Sequence, residues 1–230
     1  MPVEPATDHL DTATADPADP ATTLLFDLDG TIADSFEGIA RTFRHSLQQV
    51  GAPLPQPEVV AAIAGPPMLE TLRTLLDEDT AQRAMVAYRS RYVDIGWREN
   101  ALFAGMGELV RDLHEQGRTL AVATSKNENS ARIILEHFGI ADCFAVICGA
   151  SDDLTRAAKH EVVDYAIAQV PGPYVMIGDR SHDIEGAGRF GIATVYVRWG
   201  YAVGDESARS RWTVDTVDAL RALLTGGTPG

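Results

Sequence analysis

Short apolar segments alternate with segments of helical periodicity along the second half of the chain. The apolar segments are RTLAVAT, CFAVICG, YVMIGD and ATVYVRWG, and helical stretches such as MGELVRDLHEQG, NSARIILEHFG and KHEVVDYAIAQV lie between or before them. Strands that alternate with helices of about 10–15 residues imply a parallel sheet, because each parallel pairing needs a crossover connection. Since these strands are continuously apolar, we expect helices to cover both faces of the sheet.

One further strand precedes this alternation, and a long helical segment separates the two. The segment TLLFDLD, from Thr23, is apolar and then acidic, as expected for a buried strand that ends in a polar loop. Residues 35–100 have the apolar spacing of helices, with a break at Gly65-Pro66-Pro67. The pattern predicts an α/β fold. A Rossmann-like parallel sheet core, residues 23–34 and 101–225, carries an all-helical cap, residues 35–100, inserted after the first strand.

Both ends of the chain differ in composition from this core. Residues 1–22 contain five acidic residues and four prolines but no lysine or arginine, so we expect a disordered acidic tail. We expect residues 226–230, GGTPG, to form a frayed C-terminus. Two cysteines, Cys143 and Cys148, lack the spacing of a metal or redox motif. We interpret them as reduced thiols in a core strand of a cytoplasmic protein.

The charge balance excludes some partners. The chain has 19 Lys+Arg against 33 Asp+Glu, a formal net charge of -14. Proteins that follow nucleic-acid phosphates need clustered cations, so we expect no nucleic acid polymer as a partner. No apolar run approaches the roughly 20 residues of a membrane span, so we expect no membrane association. The sequence leaves a monomer and a homodimer equally open.

Polar side chains follow several of the predicted strands at their carboxyl ends. Each group alone fits ordinary turn or helix-cap chemistry. However, ligands of open α/β sheets bind beyond the carboxyl ends of the strands, where such side chains meet. The residues concerned are Asp27, Asp29, Thr124, Ser125, Lys126, Lys159, Asp179 and Asp183.

This combination resembles the haloacid dehalogenase-like (HAD) hydrolase superfamily over about residues 23–200. The first motif, DxDGT, stands as Asp27-Leu28-Asp29-Gly30-Thr31, and the fourth, GDxxxD, begins at Gly178 and ends at Asp183. Thr124 and Lys159 stand in the places of the second and third motifs. The chain looks most like the phosphoglycolate phosphatase-like branch with a helical cap, which includes 5′-nucleotidase-like members. It also resembles actinobacterial HAD-like proteins described as protein tyrosine kinases.

The resemblance implies roles for the motif residues. Asp27 would attack the phosphorus of a phosphomonoester to form an aspartyl-phosphate, and Asp29 would act as the general acid and base. Thr124 would bond a phosphate oxygen, and Lys159 would place a positive charge beside Asp27. The same resemblance implies that four further residues contact the substrate: Gly30, Thr31, Ser125 and Lys126.

The number of carboxylates in this site indicates a metal. Several aspartates and a phosphate dianion repel one another by about 4 kcal/mol per unit pair at 4 Å and an effective dielectric near 20. Mg²⁺ suits such oxygen ligands and phosphate chemistry. We expect the metal ligands to be Asp27, Asp29 through its backbone carbonyl, and Asp179, with Asp183 either a direct ligand or a residue that holds one.

The cap would act as a lid that excludes water and selects the leaving group. Candidate residues are Glu37, Arg41, Arg44 and the Gly65-Pro66-Pro67 loop, although a solvated helix face explains the arginines equally well. Lys126 has its own alternative, a surface cation at the start of a helix.

The sequence therefore predicts an enzyme, a Mg²⁺-dependent phosphomonoester hydrolase acting through Asp27 on a small phosphorylated metabolite. Phosphoglycolate and a nucleoside 5′-monophosphate are both candidate substrates. A phosphotransferase or protein tyrosine kinase on the same scaffold is one alternative, although kinase motifs are absent from the sequence. A catalytically silent regulatory protein is the other.

Overall fold

The computed structural model describes residues 15–61, 63, 68–153, 155–202 and 204–227. The strands in chain order are β1 (Thr23–Phe26), β2 (Ala33–Asp34), β3 (Ala101–Leu102), β4 (Leu120–Asn127), β5 (Val146–Ala150), β6 (Tyr174–Gly178), β7 (Ala193–Val197) and β8 (Trp212–Val214). The helices are α1 (Phe36–Gln49), α2 (Pro57–Ala61), α3 (Met68–Leu75), α4 (Glu78–Asp94), α5 (Met106–Glu115), α6 (Glu128–His137), α7 (Lys159–Ile167), α8 (Ser181–Gly188) and α9 (Val217–Thr225).

A six-stranded sheet of order β5-β4-β1-β6-β7-β8 forms the core of the described chain. Every pairing within it is parallel, and β1 lies between β4 and β6. The α/β class with a parallel sheet is confirmed. The edge strand β8 was not predicted, because three residues flanked by polar ones give no apolar run.

Helices cover both faces of this sheet, as the continuous apolar strands require. Side chains alternate across a strand, so Leu24 and Phe26 belong to one hydrophobic cluster, and Leu25 belongs to another. The first cluster includes the buried faces of α5, α6 and α9, and the second includes those of α7 and α8. All four residues of β1 are buried, which fixes the strand that carries the first motif.

The helices between β1 and β4 form a hydrophobic cluster of their own. Ile39, Phe43 and Leu47 of α1 pack there with Leu72 of α3 and with residues of α4. The chain leaves the sheet layer through β2 and returns through β3, and these two strands pair antiparallel. The helical insertion therefore begins and ends at neighbouring points, while the exact bounds of core and cap stay a prediction.

The predicted N-terminal tail ends earlier than residue 22. Arg118 is buried, and its guanidinium donates hydrogen bonds to the carbonyl oxygens of Pro17 (2.8 Å), Thr22 (3.2 Å) and Leu224 (2.8 Å). Residues 15–22 thus belong to the fold, and the prediction of a tail through residue 22 is wrong for them. Residues 1–14 lie outside the described residues. At the other end, Gly226 closes α9 in a left-handed conformation.

Other expectations concern single features. Both cysteines are free; Cys148 is buried in β5, but Cys143 lies in a helical turn ahead of that strand rather than in it. The Gly65-Pro66-Pro67 loop lies outside the described residues. In the part of the chain that the structure covers, helices are too short or too polar to traverse a bilayer.

Candidate active site

Three carboxylates meet beyond the carboxyl ends of the two central strands. Asp27 follows β1, Asp179 follows β6, and Asp183 lies in the first turn of α8. Because β1 and β6 pair in register, with Phe26 beside Ile177, the first two residues come together. One oxygen of each carboxylate lies within 4.8 Å of the other two, and all three residues are buried.

Lys159, the first residue of α7, neutralises part of this charge. Its Nζ lies 2.9 Å from Asp27 Oδ1 and 2.7 Å from Asp183 Oδ1, and it donates to the carbonyl oxygen of Ala123 at 2.8 Å. These contacts use all three N–H groups of the ammonium. Burial alone would lower the pKa of Lys159, but the attraction to Asp183 and Asp27 outweighs it and raises the pKa. The ammonium therefore stays charged.

One lysine does not compensate for the whole cluster. Burial, followed by repulsion from Asp183 and Asp27, holds the pKa of Asp179 well above its ordinary value. Burial also raises the pKa of Asp183 to about 6, against the opposing effect of Lys159. The site lacks positive charge, and a bound cation would remove that deficit.

Two glycines let the backbone approach Asp179 closely. A Cβ on Gly30 would lie 2.3 Å from Asp179 Oδ2, and one on Gly200 would lie 2.2 Å from the same atom. Gly30 also has a φ of 86°, a left-handed conformation that favours glycine. The Thr31 hydroxyl donates to Asp179 Oδ1 at 3.3 Å, and the Tyr201 N–H donates to Oδ2 at 2.7 Å. The carboxylate is thus fixed from several sides.

The placement of Gly30 and Thr31 differs from the expectation that they bind substrate. The N–H of Gly30 donates to the carbonyl oxygen of Ala33 at 2.9 Å, and that of Thr31 to Leu28 at 3.3 Å. These N–H groups close the turn after β1, and so they are not free for a phosphate. Both residues lie against Asp179, and a role in substrate binding stays a prediction.

Asp29 and Lys126 form a second ion pair beside the first, and it is largely buried. Lys126 Nζ lies 2.8 Å from Asp29 Oδ2, and the side chains are 8% and 15% exposed. Lys126 lies near the end of β4, ahead of α6, whose first turn is capped by Asn127. The alternative of a surface cation at a helix start is therefore wrong. Asp29 Oδ1 is buried without a hydrogen-bond partner among the residues described.

Thr124 and Ser125 lie on the same strand end. Thr124 is buried, and its hydroxyl accepts a hydrogen bond from the Lys126 N–H at 3.2 Å. Ser125 is half-buried. The pairing register of β4 with β5 shifts between Ala123 and Asn127, and both hydroxyl residues lie in that irregular part of the strand. The structure thus brings the residues of all four motifs to one edge of the sheet.

A tyrosine of the helical insertion reaches this edge, although no sequence motif includes it. Tyr92, on α4, accepts hydrogen bonds through its hydroxyl from Lys126 Nζ (2.9 Å) and Asn100 Nδ2 (3.2 Å). Its ring stacks on that of Tyr88, with centroids 5.8 Å apart. Spacing of four residues places the two tyrosines on one helix face, but such a pair is equally typical of an ordinary core.

The cap residues expected from the sequence lie elsewhere. Arg41 and Glu37 are both about half exposed and pair with each other at 2.5 Å. Arg41 also contacts Glu99 at 3.2 Å, and Arg44 is exposed. This is the solvated helix face that the sequence analysis left as the alternative.

Tyr201 links the carboxylate cluster to the start of the insertion. Its backbone N–H holds Asp179, while its hydroxyl donates to Asp34 Oδ1 at 2.9 Å. The same hydroxyl accepts from the N–H groups of Ser35 (2.5 Å) and Phe36 (3.0 Å), ahead of and at the start of α1. Tyr201 belongs to none of the four motifs, because it follows the last one by many positions.

Comparison with known proteins agrees with this arrangement. A model of the haloacid dehalogenase-like hydrolase family matches residues 24–197. "Tyrosine-protein kinase PtkA" of Mycobacterium tuberculosis is 49% identical over 208 residues, which cover 87% of this chain and 72% of that protein. A "5′-nucleotidase" of Pseudomonas aeruginosa is 38% identical over 208 residues, covering 87% and 94%. The solved structure of a "predicted phosphatase" from Clostridium acetobutylicum has a TM-score of 0.81 at 33% identity, covering 87% and 96%. The family match includes every aspartate and lysine of the candidate site.

Proposed function

The chain belongs to the haloacid dehalogenase-like hydrolases, as an enzyme of the phosphatase type, and on that premise we propose that it hydrolyses phosphomonoesters of small metabolites through Asp27. The observation that carries the proposal is the pair of neighbouring aspartate–lysine contacts at one strand end. Lys159 holds Asp27 at 2.9 Å, and Lys126 holds Asp29 at 2.8 Å. The site therefore combines a fixed nucleophile with a second carboxylate two residues away.

In the first step a carboxylate oxygen of Asp27 attacks phosphorus, and the bond from phosphorus to the ester oxygen breaks. Asp29 enters this step as a protonated carboxyl and donates its proton to that oxygen. The alcohol leaves neutral, Asp29 becomes the carboxylate that Lys126 holds, and Asp27 carries an acyl phosphate. In the second step Asp29 takes a proton from water, and the water oxygen attacks the acyl phosphate. The bond from phosphorus to the Asp27 oxygen breaks and inorganic phosphate leaves, so Asp27 is again a carboxylate and Asp29 is again protonated.

The other residues of the site would serve these steps. Lys159 offsets negative charge that grows on the phosphoryl oxygens beside Asp27. Thr124 and Ser125, at the end of β4, would contact the phosphoryl oxygens. The helical insertion, which contacts the site through the Tyr92–Lys126 hydrogen bond, would as a whole limit access of water to the acyl phosphate.

The carboxylate cluster fits Mg²⁺ as the cofactor. Asp27, Asp179 and Asp183 offer oxygens within 4.8 Å of one another, with Lys159 as the balancing cation in contact with two of them. Hard oxygen donors of this kind suit Mg²⁺, and Asp29 would add its backbone carbonyl. When bound, the metal would neutralise the phosphate and the cluster.

Relatives support two substrate classes. The 5′-nucleotidase relative suggests a nucleoside 5′-monophosphate. A "phosphoglycolate phosphatase" of Xanthomonas campestris, 29% identical over 201 residues, suggests a small phosphorylated acid. Both are small phosphomonoesters, and we propose a substrate of that class.

A second candidate function rests on the relative named as a tyrosine-protein kinase, at 49% identity. In that reaction the phosphoryl group would pass from Asp27 to a tyrosine hydroxyl instead of water. Incubation with radiolabelled ATP tests it. Tyrosine label that disappears in Asp27→Asn would support transfer, and absence of label, or label unchanged in that variant, would exclude it.

The central experiment measures release of inorganic phosphate from p-nitrophenyl phosphate, phosphoglycolate and nucleoside monophosphates. We expect turnover with Mg²⁺, loss of turnover with EDTA, and a fall in kcat of at least about a thousandfold in Asp27→Asn. Asp164→Asn, the same change at an exposed position of α7, is the matched control and should retain activity. Folded protein that hydrolyses none of these esters would refute the proposal and favour a silent regulatory role.

A further inference from the structure

The ammonium of Lys126 lies between the sheet layer and the helical insertion. It contacts Asp29 Oδ2 at 2.8 Å on one side and the Tyr92 hydroxyl at 2.9 Å on the other. It also lies 4.6 Å from the centroid of the Tyr92 ring, within range of a cation–π interaction. The Lys126 side chain is 8% exposed, so these contacts fix its position.

The two lysines of the site differ in how many N–H groups they have already used. An ammonium has three donors and no acceptor. Lys159 donates to Asp27, Asp183 and Ala123, which uses all three. Lys126 has acceptors for two, Asp29 and Tyr92, and the described residues offer no third. One N–H of Lys126 is therefore available to a ligand beside Asp29.

Tyr92 itself is held from behind. It is buried, it stacks on Tyr88 with an interplanar angle of 7°, and Asn100 donates to its hydroxyl at 3.2 Å. Asn100 directly precedes β3, where the chain returns to the sheet layer. The position of the Tyr92 hydroxyl is thus set by α4 and by the returning segment.

We propose that Tyr92 is a specificity-determining positioning residue, which holds Lys126 so that its free N–H binds an acceptor oxygen on the leaving group. The inference rests on the proposed function, because the leaving group must lie beside Asp29 for the ester oxygen to receive a proton. Tyr92 acts through Lys126 and does not itself contact the reacting atoms. Esters whose alcohol carries an acceptor oxygen near the ester bond are preferred over esters that lack one.

The test compares two esters of equal length on wild type and Tyr92→Phe. In 2-phosphoglycolate the alcohol carries a carboxylate, whereas in ethyl phosphate it carries none. Tyr92→Phe keeps the ring that stacks on Tyr88 and removes only the hydroxyl. A hydrogen bond to a charged group contributes about tenfold or more in binding, so kcat/KM for 2-phosphoglycolate should fall about tenfold. For ethyl phosphate it should change less than about twofold, since its alcohol carries no acceptor oxygen and so has no contact with Lys126 to lose.

A double-mutant cycle identifies the route of the effect. Lys126→Met should lose the same preference, and the double variant Tyr92→Phe/Lys126→Met should lose no more than Lys126→Met alone. Tyr165→Phe, the same change on an exposed tyrosine of α7 that packs under Arg156, is the control and should leave both esters unaffected. If Lys126→Met does not fold, the two-ester comparison on Tyr92→Phe decides by itself.

Three results would overturn the inference. In the first, wild type shows no preference between the two esters. In the second, Tyr92→Phe slows both equally, which would indicate a general structural role. In the third, the effects of the two substitutions add, which would mean that Tyr92 does not act through Lys126. Each leaves the proposed function intact, whereas wild-type protein that hydrolyses neither ester, nor p-nitrophenyl phosphate, contradicts the proposed function itself.

Discussion

Replacing Lys159 with methionine should destabilise the metal-free protein by an amount that depends on pH. Methionine preserves much of the length and apolar character of the lysine stem but removes the charge. The variant would leave Asp27, Asp179 and Asp183 together in a buried site without a cation in contact with them.

The distances set the magnitude of this effect. Two like unit charges 4.8 Å apart repel by about 3.5 kcal/mol at an effective dielectric near 20. Removing one partner of a buried ion pair typically costs about 3–5 kcal/mol, because the remaining charge stays uncompensated. We expect the free energy of unfolding in EDTA to fall by about this amount near neutral pH. The loss should be smaller near pH 5, where the carboxylates escape repulsion by taking up protons.

Urea unfolding followed by circular dichroism measures this, with EDTA and with Mg²⁺, at about pH 5 and about pH 7.5. Mg²⁺ should restore a substantial part of the lost stability, because it supplies the missing positive charge. Arg83→Met removes a cation from an exposed ion pair with Asp79 and should change stability by less than about 0.5 kcal/mol. Equal stability of wild type and Lys159→Met in EDTA, or a loss independent of pH, would refute the electrostatic reasoning.

Two further predictions concern the carboxylates. The fold raises the pKa of Asp183 to about 6, so protonated Asp183 stabilises the metal-free protein. This contribution is complete below the ordinary aspartate pKa and is lost as the pH rises through about 6. Mg²⁺ competes with that proton, so the increase in urea midpoint on adding Mg²⁺ should grow from about pH 4.5 to about pH 7, and an increase that does not vary with pH would contradict this. Gly200→Ala should displace Asp179 and raise the Mg²⁺ concentration needed for half-maximal activity by about tenfold, because a Cβ there would lie 2.2 Å from Asp179 Oδ2. Gly188→Ala, whose Cβ would meet no atom within 4 Å, should leave that requirement unchanged, and an equal effect of both substitutions would show that the close contact is irrelevant.

The sheet could be predicted because its determinants are local. Segments such as YVMIG are apolar throughout, and this composition is typical of a strand that helices cover on both faces. The edge strand Trp212–Val214 has no such run, and its pairing with β7 depends on the neighbouring strand. The segment before β1 has the composition of a tail, but Arg118 binds its backbone carbonyls, and a sequence does not reveal such contacts.

The residues of the candidate site also fall into a predictable group and an unpredictable one. Asp27, Asp179 and Lys159 follow strands or open a helix next to the sheet, so the topology alone brings them together. Tyr92 and Tyr201 reach the site from elements whose orientation depends on packing between the helical insertion and the sheet layer. The sequence could also not distinguish a Gly30 N–H that binds phosphate from one that closes a turn, since both need glycine.

The antiparallel pairing of β2 with β3 has a consequence for how such a protein can be altered. Ala33 lies opposite Leu102 and Asp34 opposite Ala101, so the two ends of the inserted segment are held at a fixed separation by the ribbon. A helical module from another protein with the same end spacing could be grafted between these residues without new linkers. Asp27, Asp29 and both lysines would remain in the recipient, while Tyr92 would depart with the module. The aspartates and lysines of one protein could then be combined with the helical module of another.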